Sequence, residues 1–80
     1  MWYVYIIRSE QDDSLYIGIS NDVEKRLASH NSGKGAKRTK GHGPWKLVWT
    51  SDPLTGRSEA SKLEHKMKKL SRAEKLELIK

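Results

Sequence analysis

Eighty residues with no cysteine and a formal net charge of +6 make one domain near the lower size limit for folding without a staple. They exclude a disulfide framework and any thiolate metal site. No apolar run, that around Val4 to Ile7 included, approaches the roughly 20 residues a membrane span needs, so no membrane partner is expected. No basic segment leads into a long apolar stretch at the N-terminus, so no signal peptide is expected, and the composition suits a cytoplasmic protein. The charge is unevenly spread: residues 1–24 hold one base, Arg8, against five acids, whereas residues 25–80 hold the other fifteen bases against five acids. Such asymmetry in a small domain points to a polyanionic partner, most often nucleic acid.

In chain order, residues 2–8 are β-branched and aromatic and predict a strand, and residues 14–19 predict a second. The polar run Ser9-Glu10-Gln11-Asp12-Asp13 between them predicts a hairpin turn. Two tyrosines, Tyr5 and Tyr16, lie eleven residues apart in these strands. Whether they share a face depends on register, because side chains alternate along a strand. A four-residue loop, Ser9 to Asp12, pairs Arg8 with Asp13 and sets Tyr5 opposite Tyr16; a five-residue loop puts them on opposite faces unless a bulge intervenes.

Residues 21–31 predict a helix, with Asn21 and Glu24 as a capping box and Val23 and Leu27 as the buried stripe. Arg26 and His30 are an i, i+4 pair on the border of that stripe, at the margin between core and solvent. Residues 32–44 hold four glycines and the bases Lys34, Lys37, Arg38 and Lys40, which predicts a flexible basic loop. The loop lacks the Gly-Lys-Ser/Thr ending of a P-loop, so no nucleotide cofactor is expected. A third strand is predicted over 45–50, a helix over 58–70 with the stripe Ala60, Leu63, Met67 and Leu70, and a last helix over 72–79 opened by the capping box Ser71-Arg72-Ala73-Glu74. Glu64 falls about 80° from the middle of its helix's stripe, on the border. The pattern is α+β: a small three-stranded antiparallel sheet with flanking helices in the order β-β-α-β-α-α.

Tyr3-Val4-Tyr5, the eleven-residue tyrosine spacing, Tyr16-Ile17-Gly18, then Arg26, His30 and a later helical glutamate together resemble the GIY-YIG nuclease superfamily. The resemblance spans nearly the whole chain. It is closest to the small stand-alone bacterial members, which share His30-Asn31-Ser32-Gly33-Lys34-Gly35-Ala36-Lys37 and Lys69-Leu70-Ser71-Arg72. It implies a divalent-metal-dependent endonuclease site with one Mg2+ or Mn2+ ion. The first motif departs from the family name, with Tyr-Val-Tyr in place of Gly-Ile-Tyr. Many relatives also carry a late asparagine, for which Asn31 beside His30 is the auxiliary substitute here.

Phosphodiester hydrolysis needs an activated water, neutralised phosphoryl oxygens and help for the leaving oxyanion. Tyr5 is the expected general base or water-orienting group, provided that Arg26, His30 and the metal lower a phenol pKa that is ordinarily near 10. Tyr16 is expected to bond the water or a phosphate oxygen. Arg26 suits the transition-state charge because a guanidinium holds two phosphate oxygens and stays ionised. His30 is the expected auxiliary base or proton relay, and Glu64 the metal ligand, with Glu59 as its rival. Lys34, Lys37, Arg38 and Lys40 are expected to grip backbone phosphates. Taken singly, these residues also fit packing tyrosines, an arginine paired with Asp22 and a glutamate paired with Lys68. The expected activity is structure-selective or weakly specific DNA cleavage, in repair or recombination, on branched or nicked DNA, with a protein partner as a source of specificity. The alternatives are a non-catalytic nucleic-acid-binding module that keeps the nuclease fold and a scaffold whose basic face binds an acidic protein.

Overall fold

The computed structural model describes residues 1–79. Its first element is the strand that the β-branched and aromatic N-terminal run favours, β1 (Tyr3–Ser9), followed by β2 (Leu15–Ser20) and, much later, β3 (Trp45–Thr50). The strands form one antiparallel sheet in the order β2-β1-β3. Helix α1 (Val23–Asn31) precedes β3; α2 (Arg57–Lys68) and α3 (Arg72–Ile79) follow it. The order β-β-α-β-α-α is the one expected from the pattern of apolar residues.

The hairpin closes one residue later than either loop considered above. The Ser9 N–H donates to the Ser14 carbonyl at 2.9 Å, leaving Glu10–Asp13 as a four-residue turn. Asp13 takes the left-handed conformation at φ 61°, where an aspartate is among the few tolerated side chains. The Asp12 carboxylate accepts from both the amide and the hydroxyl of Ser14, and these bonds hold it well below the usual carboxylate range. Arg8 therefore pairs with Leu15, Ile7 with Tyr16 and Tyr5 with Gly18. The parity is the same as in the shorter register, so Tyr5 and Tyr16 share a face, set diagonally instead of opposite each other.

Each face of the sheet carries its own apolar cluster. Val4, Ile6, Ile17, Ala60 and Met67 fill one, flanked by Leu63, Leu70 and Ile79 from α2 and α3. Tyr5, Ile7 and Trp45 fill the other, against Val23 and Leu27 of α1. A bulge between Ile6 and Ile7 shifts the register of β3 from Trp49 to Leu47, so that Trp49 packs with the first cluster and Leu47 with the second.

Helix boundaries differ from expectation at three points. Asp22, not Asn21, caps α1: its carboxylate accepts from the Lys25 amide at 3.1 Å, while its own amide is held by the Ser20 hydroxyl at 2.9 Å. That second bond keeps the chain extended for one more residue. Helix α2 ends at Lys68, because Leu70 closes a tighter turn onto the Met67 carbonyl. The glycine- and lysine-rich segment is not uniformly loop: Lys37–Thr39 forms a 3-10 turn that buries Thr39. The Ser71/Glu74 capping box forms in both directions, at 2.9 and 3.2 Å.

Candidate active site

The register brings Tyr5 alongside Gly18, and the tyrosine lies across it. A Cβ at position 18 would sit 2.5 Å from the Tyr5 hydroxyl and 2.7 Å from Cζ. The glycine of Tyr16-Ile17-Gly18 is thus needed for the space that the phenol occupies, since its backbone lies in an ordinary strand.

His30 is wedged between the two tyrosines, 5.2 Å edge-on from the Tyr16 ring and 6.0 Å from the Tyr5 ring. It is only 2% exposed, which corrects the expectation that it sits at the margin between core and solvent. The glycine- and lysine-rich segment folds over it, with Thr39 and Gly35 both against the Nδ1 edge of the ring. A Cβ on Gly35 would come within 2.9 Å of the His30 Cα.

The hydrogen bonds around His30 fix its tautomer. The Thr39 hydroxyl donates to the Ala36 carbonyl at 2.8 Å, so its oxygen accepts from His30 Nδ1–H at 2.9 Å. His30 Nε2 then carries a lone pair and accepts from the Tyr5 hydroxyl at 2.8 Å. The result is a directed chain, Tyr5 to His30 to Thr39 to the Ala36 carbonyl. Trp45 pins the turn from below, its indole N–H donating to the Thr39 carbonyl at 3.0 Å. It is a core residue and leaves no face for stacking on a base.

Electrostatics favour neutral groups along this chain. Burial, and secondarily the Arg26 charge, hold His30 below its ordinary value of 6.5. Burial pushes the Tyr5 phenol above 10.0; Arg26 opposes that shift, while Tyr16 and Glu64 add to it. The expectation that positive neighbours lower the Tyr5 pKa is therefore reversed. Desolvation outweighs Arg26, and His30 contributes a lone pair where a cation was expected.

The same interactions show which predicted residues the fold brings together. Tyr16, Arg26, His30 and Glu64 all act on the Tyr5 phenol, through contact or charge. Arg26 is half-buried on α1 and, among the described residues, pairs with no carboxylate, Asp22 included. Glu64 comes from α2, which packs against the edge strand β2. Its carboxylate is 22% exposed and accepts an ion pair from Lys68 at 3.5 Å. Among the described residues, no three His, Cys, Asp or Glu side chains gather to bind a metal, so Glu64 is a lone carboxylate. Glu59 instead accepts from the Thr55 amide at 3.4 Å, at the start of α2. Asn31 spends both ends of its amide on the Trp45 backbone, at 3.0 and 2.5 Å, tying α1 to β3. Lys34, Lys37, Arg38 and Lys40 are all exposed, and Arg38 alone of the four lines a cavity with Tyr16.

Sequence reasoning missed Thr39. Its one signal is that it is the only hydroxyl-bearing residue between Gly33 and Gly43, in a stretch otherwise made of glycine, alanine, bases and His42.

Likeness to known proteins places the chain in a family. Residues 1–77 match the model of the GIY-YIG catalytic domain. A UPF0213 protein of Clostridium perfringens is 48% identical over 99% of this chain and 83% of its own length. One of Vibrio cholerae is 44% identical over 98% and 76%. The solution NMR structure of a UPF0213 protein from Bacillus halodurans is similar with a TM-score of 0.59 and 44% identity, covering 99% of this chain and 83% of that one. Among the described residues, no helix is long and apolar enough to cross a membrane. The chain belongs to the GIY-YIG family, a nuclease fold, and within it stands among the small stand-alone UPF0213 proteins of bacteria.

Proposed function

We propose that this protein is a divalent-metal-dependent endonuclease that hydrolyses DNA phosphodiester bonds, selecting branched or nicked structures over sequence, in repair or recombination. The observation that carries this reading is the Tyr5–His30–Thr39 chain within reach of the Arg26 and Glu64 charges, in a domain of nuclease ancestry. A buried neutral phenol is too weakly acidic to serve as a preformed phenolate. It can still take a proton at its oxygen while passing its own to His30 Nε2, and the Thr39 acceptor keeps the imidazole oriented for that transfer. Tyr16 has a half-exposed phenol without a protein hydrogen-bond partner among the described residues, which suits it to orient the attacking water. Arg26 would neutralise the phosphoryl oxygens.

The donor set fits a single Mg2+ or Mn2+ held by the Glu64 carboxylate, with waters and the substrate phosphate completing its coordination. When bound, such an ion supplies charge neutralisation at the scissile phosphate and stabilises the leaving oxygen. Lys68 must then share or release Glu64.

A second reading, a non-catalytic nucleic-acid-binding module, is favoured by two facts. Tyr5 is 1% exposed, and Lys68 already occupies Glu64. The experiment is incubation of branched, nicked, single-stranded and duplex DNA with wild type and Glu64→Ala in Mg2+ or Mn2+. Metal-dependent products from wild type alone support the endonuclease. Salt-sensitive binding without products from any substrate supports the module. Neither cutting nor binding leaves a scaffold for an acidic protein.

A further inference from the structure

Beside Tyr16, three elements far apart in the sequence converge on β2. Two adjoining cavities, of about 350 and 170 Å³, share Leu15, Tyr16, Arg38 and Lys75 and so form one groove. Arg38 comes from the 3-10 turn, Lys75 from α3 and, in the smaller cavity, Lys68 from α2. No carboxylate lines either cavity. Lys75 is half-buried, and among the described residues no acid lies within ion-pairing distance of it. The Lys75 stem packs into the groove while its ammonium is left for an incoming anion. Helix α3 is also fixed in place for this: the Arg72 guanidinium donates to the Asp13 carbonyl in the hairpin turn at 2.9 Å, and the Ser71/Glu74 box caps its start.

We propose that Arg38, Lys68 and Lys75 form a phosphate-binding groove alongside Tyr16 that grips the nucleic-acid backbone next to the bond to be cut. The inference rests on the nuclease reading and extends it, since it moves the backbone contact from the glycine-rich loop as a whole to one face shared by three elements. Lys68 links groove and site. A phosphate in the groove competes with Glu64 for the Lys68 ammonium and so releases that carboxylate.

The test is equilibrium binding of the full chain to a duplex oligonucleotide and to a single strand, in EDTA so that nothing is cut, across a range of salt. Each lost phosphate contact lowers the slope of log K against log[salt] by about 0.9 on duplex and about 0.7 on single strands. Lys75→Gln and Arg38→Gln should each show that drop, Lys75→Arg should restore it, and Lys62→Gln, which removes the same charge outside the groove, should not show it. Thermal unfolding of each variant checks folding, and the two groove variants report independently. The groove is refuted if Lys75→Gln and Arg38→Gln behave like Lys62→Gln. Should wild type still cut DNA in that case, the nuclease reading survives the loss of the groove. Slopes as expected with no cutting in Mg2+ keep the groove and sink the nuclease. Absence of wild-type binding overturns the groove, and overturns the nuclease reading as well if no DNA is cut in Mg2+.

Discussion

Thr39→Val tests the hydrogen-bond chain behind the tyrosines while leaving its shape nearly intact. Valine replaces the hydroxyl with a methyl at a position 1% exposed, so His30 Nδ1–H loses its 2.9 Å acceptor and water cannot easily replace it. The Ala36 carbonyl keeps the Thr39 backbone amide at 3.0 Å, so the orphaned imidazole N–H accounts for most of the cost. A buried donor left unsatisfied costs about 1–3 kcal/mol, a large share of the about 5–15 kcal/mol that holds a domain together. For a chain of this size that corresponds to a fall in Tm on the order of 5–20 °C. Thermal unfolding by circular dichroism reads the cost, and imidazole nitrogen shifts by NMR read the tautomer. Wild type should show His30 protonated at Nδ1 alone, and Thr39→Ser should keep that signature. A wild-type imidazole protonated at Nε2, or a Thr39→Val protein that melts with wild type, would refute the directed chain.

Two further outcomes follow from the same packing. Gly18→Ala puts a Cβ 2.5 Å from the Tyr5 hydroxyl, so the ring must move off His30; about 1–3 kcal/mol of overpacking cost is expected in urea unfolding, and Tyr5→Phe should not relieve it, because Cζ is itself only 2.7 Å away. His30 is held neutral in the native state, whereas in the unfolded chain it takes up a proton below about pH 6.5. The unfolded state then binds more protons, so stability present above that pH is lost as pH falls towards the folded pKa, by at most about 1.4 kcal/mol per pH unit. Urea midpoints between pH 7.5 and 5.5 measure this loss, and a His30→Gln protein should lack it.

The spacing reduced the candidate site to questions of parity and helical period, and left the parity open. Residues 5 and 16 share a face for any hairpin whose paired numbers sum to an odd value, and the Glu10–Asp13 turn supplies one. The i, i+4 spacing of Arg26 and His30 put both on one border of the α1 stripe. What could not be read was depth. Nothing in the segment 32–44 announces that one of its turns folds back to bury Thr39 and seal His30, because the seal depends on the Trp45 indole reaching a carbonyl six residues earlier. That burial reverses the sign of the Tyr5 shift, since desolvation scales with what covers a group and not with its neighbours in sequence. The capping of α1 was off by one residue for a similar reason, as the Ser20 hydroxyl and its bond to Asp22 belong to the end of β2.

The measurement that bears most directly on the proposed chemistry is single-turnover DNA cleavage in Mg2+ by wild type and Tyr5→Phe, below the melting range of both. Removing a group that transfers a proton in the transition state should slow cleavage by about 100-fold or more, with DNA binding unchanged because the phenol is buried. Cleavage by Tyr5→Phe within about threefold of wild type would show that Tyr5 only packs against Gly18 and His30, and that the reaction runs without it.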